Sequence, residues 1–204
     1  AAIGRQLEMI VAADVVFAAA ASEPSPQDLT RPRTTAVRTA EGWTIDGRKA
    51  FATMSPAATI LNVAVTYVDD AGRERYGFAF VPSNQPGVVF HHDWDALGMR
   101  ASASGSVSFD GVQVAHEAVR DGFAAGAFSA PFLERYLASG AFHTAAALGI
   151  AESAHAHAVT ALRRRGEAAL DDPHTVTELA GSTVDLAAAR ATFDRAARMI
   201  DQYA

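Results

Sequence analysis

A stretch rich in small hydroxyl side chains lies near the middle of the chain, at residues 96–114 (ALGMRASASGSVSFDGVQV). Its first half, which contains Ser102 and Ser104 between glycines, has the composition of a loop that binds phosphate. The phosphate loops of nucleotide-binding proteins lead into a helix, whereas here apolar and polar residues alternate with the period of two that is typical of a strand. The stretch therefore predicts the close-packed start of a β-strand with a kink at Asp110-Gly111.

Seven histidines raise the question of a metal site, and their spacing argues against one. His91 and His92 are adjacent on a predicted strand, so their rings point to opposite faces. His143, His155 and His157 lack the i,i+4 spacing of a helical metal site. We therefore expect no bound metal. The absence of cysteine excludes disulfides, thiolate ligands and a cysteine nucleophile, and it fits a reducing, cytoplasmic location.

The composition describes a folded globular protein and excludes two classes of partner. The 204 residues are 50% hydrophobic and 20% charged. The net charge of −6 argues against a nucleic-acid partner, because no basic stripe is present to neutralise phosphates. Every long apolar run contains a charged residue, so we expect no membrane span.

The pattern of apolar residues changes twice along the chain. Residues 1 to about 21 have apolar positions at helical spacing, which the segment Ser22-Glu23-Pro24 interrupts. From about Thr34 to Val114 the period is two, with six or seven short strands, which favours an antiparallel sandwich or barrel. After residue 126 the pattern is helical again, with one long helix to about residue 165 and a second at residues 175–203. The predicted fold class is therefore α+β.

Five stretches, in this order along the chain, resemble the acyl-CoA dehydrogenase family of flavoproteins. They are Ser22-Glu23-Pro24; Gly47 to Thr53; Phe80-Val81-Pro82 with Pro86-Gly87-Val88; Leu97 to Ser102 with Val107 to Val114; and Glu134-Arg135 with Leu148 to Ala151. The resemblance implies an acyl-CoA dehydrogenase-like fold, in which an antiparallel β-barrel or sandwich is followed by a C-terminal helical bundle. It assigns residues 1–21 to the end of an N-terminal helical domain that is largely absent. Residues 22–122 would form the flavin-binding middle β-domain, and residues 127–204 part of the C-terminal helical domain.

The resemblance also implies a flavin site on the β-domain. In the family, a loop similar to Ser22-Glu23-Pro24 supplies donors to the pyrimidine side of the flavin. A Trp-Ile-Thr-like strand covers the ring and offers a hydroxyl near N5. The implied cofactor-binding residues are therefore Ser22, Glu23, Phe51 and Thr53, with Phe51 in the aromatic position. The implied cofactor is FAD, with FMN as the alternative. Fixed donors near N1 and O2 stabilise the negative charge of a reduced ring.

Glu134 is the catalytic residue that the resemblance implies. In one branch of the family, the base that removes the α-proton lies in a Glu-Arg pair on this helix. Arg135 would then steady that carboxylate or face the substrate, and Ser102 would line the acyl or flavin cleft. Structural alternatives exist for the charged pair, because a glutamate in a first turn stabilises a helix N-terminus and a helical arginine is commonly a surface group.

The implied activity is that of an FAD-dependent acyl-CoA dehydrogenase-like oxidoreductase of fatty acid or lipid metabolism. A base takes the α-proton of an acyl-CoA thioester while the β-hydride goes to flavin N5. The implied partners are an acyl-CoA or related small-molecule substrate, an electron-acceptor flavoprotein, and further copies of the chain in a homotetramer or homodimer. Residues 25–28 stand where the family has Gly-Ser-Asp. This departure keeps two alternatives open: a flavin-dependent monooxygenase of the same fold, and a non-catalytic subunit of a mixed tetramer.

Overall fold

The structure is a computed structural model that describes residues 8, 10–12, 15–24, 26 and 28–203, without the side chains of residues 131, 135, 138, 167, 170 and 203. The chain divides into two compact units, residues 1–129 and 130–204. In the described ranges, no helix is both long enough and apolar enough to cross a membrane.

The first unit is built on a mixed β-sheet. Its strands are β1 (Phe17–Ala20), β2 (Thr35–Arg38), β3 (Trp43–Lys49), β4 (Ile60–Val68), β5 (Glu74–Pro82), β6 (Val88–Phe90), β7 (Val107–Val114) and β8 (Val119–Ala124). The order along the sheet is β6-β7-β3-β2-β4-β5-β8, and β1 pairs with β4. β1 and β2 run parallel to β4, and the other pairs are antiparallel. The predicted α+β class is confirmed, but the sheet is mixed and is not a closed antiparallel barrel.

Alternating side chains build the core on one face of the sheet. Successive residues of a strand point to opposite faces, so every second residue of an apolar strand is buried. In β4 these residues are Leu61, Val63 and Val65, all 0% exposed, and in β7 the residues Val107 and Val112 are also 0% exposed. The core fixes the ends of β3, β6 and β7, and these ends carry the loops of the candidate site.

The helix expected to run through residue 21 ends earlier. Residues 8 and 10–12 lie in a helical turn, in which Ala12 N–H donates to Glu8 O at 2.9 Å, but Phe17–Ala20 form the strand β1. β1 pairs in parallel with Ile60 to Val63 of β4. Ala18 and Ala20 are buried in this pairing, so contacts distant in sequence override the helical preference of an alanine-rich segment.

The second unit is a pair of long antiparallel helices. Its helices are α1 (Ala130–Arg165), the short α2 (Glu167–Leu170) and α3 (Pro173–Tyr203). An ion pair joins Arg190 Nε of α3 to Glu152 Oε1 of α1 at 2.9 Å, and His155 Nδ1 lies 2.9 Å from Ser182 Oγ. Residues of both helices line an apolar cavity of about 610 Å³. The two long helices predicted from the sequence are therefore present.

Candidate functional site

One end of the sheet contains a fully buried ion pair between Glu23 and Lys49. Glu23 lies in the loop after β1, and Lys49 is the last residue of β3. Lys49 Nζ donates to Glu23 Oε1 at 2.8 Å, and the Lys49 and Glu23 side chains are 0% and 1% exposed. Glu23 also accepts the backbone N–H groups of Arg33 and Thr34, both at 2.8 Å, and the Thr34 hydroxyl at 2.7 Å. The ion pair therefore fastens three separate segments of the chain together.

The hydrogen bonds around Glu23 keep its carboxylate ionised. Burial by itself raises the pKa of Glu23, but hydrogen bonds from Lys49 and from the backbone of Arg33 and Thr34 outweigh it and lower this pKa to about 2. Burial lowers the pKa of Lys49 to about 8, against the opposing attraction of Glu23. Both partners are thus charged at neutral pH. A buried charge is tolerated only with such a partner.

Lys49 is the only lysine of the chain, and the other 16 basic residues are arginines. An ammonium group is a compact charge on a thin apolar stem, whereas a planar guanidinium presents five donors that all need partners. A site that holds one buried cation against one carboxylate therefore suits lysine. No role for Lys49 was predicted from the sequence. Its being a single lysine among arginines was the signal that could have singled it out.

The ion pair fixes the position of Ser22. The carbonyl oxygen of Ser22 accepts the N–H of Ala50 at 2.9 Å, next to the contact between Glu23 and Lys49. The loop after β1 is thereby held against the end of β3. Ser22 is half-buried, and its hydroxyl makes no hydrogen bond to the described residues. The structure thus brings the predicted residues Ser22 and Glu23 directly beside the start of the predicted segment at Phe51.

The chain turns sharply as soon as β3 ends. Phe51 has a left-handed backbone with φ of 54°, and Thr53 N–H donates to Phe51 O at 3.0 Å. Ala52 is fully buried, whereas Phe51 is 66% exposed. The Phe51 ring meets Trp94 edge-on, with ring centroids 6.2 Å apart. The turn therefore presents an apolar aromatic ring to the surroundings instead of burying it.

Three hydroxyl groups form a continuous hydrogen-bonded chain beside this turn. Thr53 Oγ1 lies 2.8 Å from Ser104 Oγ, which lies 2.7 Å from Ser102 Oγ. Ser104 is 7% exposed, whereas Thr53 is exposed and Ser102 is half-buried. Met54 N–H donates to Ser102 O at 2.9 Å and ties the two loops together. Two predicted residues, Thr53 and Ser102, are thus connected through Ser104, and we call these three residues the hydroxyl chain.

Left-handed backbone is concentrated in the same two loops. Within the described ranges, the non-glycine residues with positive φ are Phe51 (54°), Met54 (61°), His92 (51°), Met99 (53°) and Ala103 (45°). Such conformations are unfavourable for residues with a Cβ, and they persist where the surrounding structure fixes them. They also cluster at functional sites. Their confinement to residues 51–54 and 92–103 supports a functional role for this end of the sheet.

The residues gathered here fit a flavin ring. The Ser22 hydroxyl and one end of the hydroxyl chain can hydrogen-bond to a ligand, and Phe51 offers an exposed aromatic surface. An isoalloxazine ring combines a flat apolar body with polar atoms on its edges, so it matches this set of groups. Glu23 is buried and its carboxylate faces Lys49. Its implied role in cofactor binding stays a prediction.

The remaining predicted residues lie outside the sheet. Glu134 is in the first turns of α1 with an exposed side chain, and its assignment as a base stays a prediction. The side chain of Arg135 lies outside the described part of the structure, as do Ser25 and Gln27 of the segment that departs from the family pattern. No group of three or more His, Cys, Asp or Glu residues among those described could hold a metal ion.

Known proteins that are similar to this chain fall into two groups: a monooxygenase and nitrososynthases form one, and acyl-CoA dehydrogenases form the other. A probable FMNH2-dependent monooxygenase from Pseudomonas putida is 29% identical over 178 residues, which are 82% of this chain and 44% of that protein. An amino sugar nitrososynthase from Streptomyces peucetius is 32% identical over 151 residues, which are 73% of this chain and 37% of that protein. The relatives also include acyl-CoA dehydrogenases that act on cyclic acyl groups, as their names state.

Solved structures give the same result for the fold. The structure of KijD3 in complex with FMN and dTDP-3-amino-2,3,6-trideoxy-4-keto-3-methyl-D-glucose aligns with a TM-score of 0.69 at 26% identity, over 96% of this chain and 48% of that one. The chain thus spans less than half the length of these relatives. Residues 18–112 match the family model of the acyl-CoA dehydrogenase middle domain, and this range includes the buried ion pair and the whole hydroxyl chain. The chain therefore belongs to the acyl-CoA dehydrogenase family, whose members are flavoenzymes.

Proposed function

We propose that this chain forms the flavin site of an oxidoreductase that oxygenates a small organic molecule with reduced flavin. The observation that carries the proposal is that the exposed Phe51 ring and the Thr53 end of the hydroxyl chain lie on one loop, whose backbone is left-handed at Phe51 and Met54. One relative is named as an FMNH2-dependent monooxygenase and the KijD3 structure is a complex with FMN, which favours FMN over the FAD that the family resemblance implies.

Each residue would have a distinct task in holding the cofactor. The Thr53 hydroxyl would hydrogen-bond at the N5 edge of the ring and the Ser22 hydroxyl at its pyrimidine edge, while Phe51 would pack against the ring. Glu23 and Lys49 would hold Ser22 and Thr53 at a fixed separation without touching the ligand. A bound reduced flavin supplies two electrons, and fixed hydrogen-bond donors stabilise the charge that it carries.

Oxygenation is preferred to dehydrogenation because the relatives with oxygenating activities align over a larger share of the chain. The monooxygenase and the nitrososynthase align over 82% and 73% of it, against 47% and 69% for two dehydrogenases. The segment at residues 25–28 also lacks the Gly-Ser-Asp pattern, whose serine lies near the cofactor or substrate in many relatives that use CoA thioesters. An oxygenase would not need a site for a CoA thioester.

Anaerobic titration of the protein with oxidised and reduced FMN and FAD tests the proposal. We expect quenching of flavin fluorescence on binding and tighter binding of reduced than of oxidised FMN. When the reduced complex is then mixed with air-saturated buffer, we expect it to consume dioxygen. Thr53→Val should weaken binding by roughly tenfold, because it removes one hydrogen bond at constant volume. The matched variant Thr44→Val, at the far end of β3, should bind as the wild type does. Failure of every flavin to bind would overturn the proposal and favour a non-catalytic subunit.

Dehydrogenation of an acyl-CoA by bound FAD is the second candidate, and the helical unit offers an observation in its favour. Leu133, Leu137 and Gly140 line the apolar cavity of about 610 Å³ between α1 and α3, and Glu134 is adjacent to them in sequence. An acyl chain could occupy such a cavity while Glu134 removed the α-proton. This candidate predicts that an acyl-CoA bleaches the bound oxidised flavin and that Glu134→Gln abolishes the bleaching. Bleaching at full rate in the variant would exclude Glu134 as the base.

The remaining expectations concern the molecule as a whole. Assembly as a homotetramer or homodimer, electron transfer to an acceptor flavoprotein, a place in fatty acid or lipid metabolism and a cytoplasmic location stay predictions of the family resemblance. The oxygenase proposal dispenses with the acceptor flavoprotein, because dioxygen takes the electrons.

A further inference from the structure

The hydroxyl chain has one proton more than it has internal hydrogen bonds. Each hydroxyl can donate one hydrogen bond and accept two, and the chain contains two internal bonds. Ser104 is 7% exposed, so its hydroxyl proton has to be donated to Thr53 or to Ser102, because a buried donor without a partner is costly. The unshared proton therefore lies at one end, on Thr53 or on Ser102. These are the only two orientations in which both internal hydrogen bonds of the hydroxyl chain are made.

The backbone holds the three oxygen atoms in place for both orientations. Ala103 is left-handed, with φ of 45°, and this conformation lies between the two serines that share a hydrogen bond. In the first orientation Ser102 donates to Ser104, which donates to Thr53, and the Thr53 proton is free. In the second orientation every bond is reversed and the Ser102 proton is free. The change needs only rotation of three O–H bonds, so no covalent bond breaks and no net charge moves.

We propose that the hydroxyl chain is a reversible switch that lets Thr53 donate a hydrogen bond to an oxidised flavin and accept one from a reduced flavin. This inference rests on the proposed flavin site. N5 of an oxidised flavin has a lone pair and no proton, whereas N5 of a two-electron-reduced flavin carries a proton. The first orientation of the chain is complementary to the oxidised form, and the second is complementary to the reduced form. Ser104 and Ser102 are then positioning residues that act on the cofactor through Thr53.

The variant Ser102→Ala should lock the switch in one orientation. Without the Ser102 oxygen, the only acceptor left in the chain for the Ser104 proton is Thr53, so the Thr53 proton has to point outward. This orientation suits oxidised flavin. It leaves the Thr53 oxygen only one lone pair, beside its own outward proton, for the N5–H of reduced flavin, and so disfavours that form. We expect the ratio of the dissociation constants of reduced and oxidised FMN to rise about tenfold relative to the wild type. For a two-electron couple, a tenfold change lowers the reduction potential of the bound flavin by about 30 mV.

The experiment measures the dissociation constants of both redox forms by anaerobic fluorescence titration, and the potential by spectroscopic reductive titration. Ser106→Ala is the matched control, because Ser106 lies on the same segment but does not belong to the hydroxyl chain. This variant should leave the ratio of dissociation constants unchanged. In a Ser104→Ala background, Ser102→Ala should have no further effect on the ratio. Ser102→Gly carries the same prediction as Ser102→Ala should alanine prevent folding.

Two results would overturn the switch in different ways. If Ser102→Ala binds both redox forms with the wild-type ratio, the switch is refuted while the flavin site stands. If wild-type protein binds neither form of FMN or FAD, the flavin site fails and the switch fails with it. A ratio that rises equally in the Ser104→Ala background would likewise refute coupling through Ser104.

Discussion

Replacing Glu23 by glutamine should destabilise the sheet far more than the loss of one charge at the surface would. The glutamine side chain keeps one carbonyl oxygen, so it can accept only one of the backbone N–H groups of Arg33 and Thr34, which donate to different oxygens of Glu23. It cannot neutralise Lys49, whose side chain is 0% exposed and whose other hydrogen bond is a long one of 3.4 Å to Ala21 O. The variant therefore leaves a buried ammonium group without a counter-ion.

The expected loss follows from this geometry. Removing one partner of a buried ion pair costs about 3–5 kcal/mol, which is a large part of the roughly 5–15 kcal/mol that stabilises a typical domain. For a chain of this size, the melting temperature should fall by roughly 6–20 °C. Adding Lys49→Met should recover most of the loss, because a buried ion pair can be replaced by apolar groups at little cost. The surface pair of Arg38 with Asp70 is the control, since Asp70 is 87% exposed and Asp70→Asn should cost less than about 1 kcal/mol.

Tryptophan fluorescence during urea unfolding is a suitable assay for these variants. Both tryptophans, Trp43 and Trp94, belong to the sheet unit, so the signal reports the unfolding of that unit. The free energy of unfolding should fall by several kcal/mol in Glu23→Gln and recover in the double variant. A loss no larger than that of Asp70→Asn would refute the view that the buried pair holds the three segments together.

Three further predictions concern the same unit. Because the folded-state pKa of Glu23 is about 2 instead of 4.5, its stabilising effect is complete above pH 4.5 and is lost as the pH falls towards 2. Between pH 4.5 and 2, the free energy of unfolding should fall by about 3 kcal/mol in the wild type, and this fall should be missing in Glu23→Gln. Phe51→Ala should weaken flavin binding by tenfold or more, by the order of magnitude of an aromatic contact, yet change the melting temperature little because Phe51 is 66% exposed. Gly87→Ala should lower the free energy of unfolding in urea by more than about 2 kcal/mol, because its φ is +89° and a Cβ would lie 2.2 Å from Asp110 O. Gly72 is the control: its φ is +75° and the space around it is open, so Gly72→Ala should lower this free energy by about 1 kcal/mol.

The parts of the fold that local patterns determine could be predicted. The β4–β5 hairpin follows from two alternating apolar runs around the turn at Asp69 to Gly72, and the structure pairs Ile60 with Pro82 through Val68 with Glu74. The two long helices follow from their spacing of apolar residues. The strand β1 could not be predicted, because its alanine-rich sequence favours a helix and only the distant strand β4 makes it extended.

Some residues of the candidate site could be predicted from the sequence, but the buried contacts that connect them could not. Ser22, Phe51 and Thr53 could be chosen by resemblance to family motifs. The ion pair joins Glu23 to a lysine 26 positions later, and the bond from Thr53 to Ser104 spans 51 positions. No periodicity links such distant residues. These contacts become visible only when the fold places the loops after β1 and β3 and the loop before β7 at the same end of the sheet.

A crystal structure of the protein with FMN would directly test whether this end of the sheet binds the cofactor. We expect an isoalloxazine ring packed against Phe51, with its N5 edge within hydrogen-bonding distance of Thr53 Oγ1 and its pyrimidine edge facing Ser22. A flavin bound elsewhere, or bound with N5 turned away from Thr53, would contradict the assignment of this end of the sheet as the cofactor site.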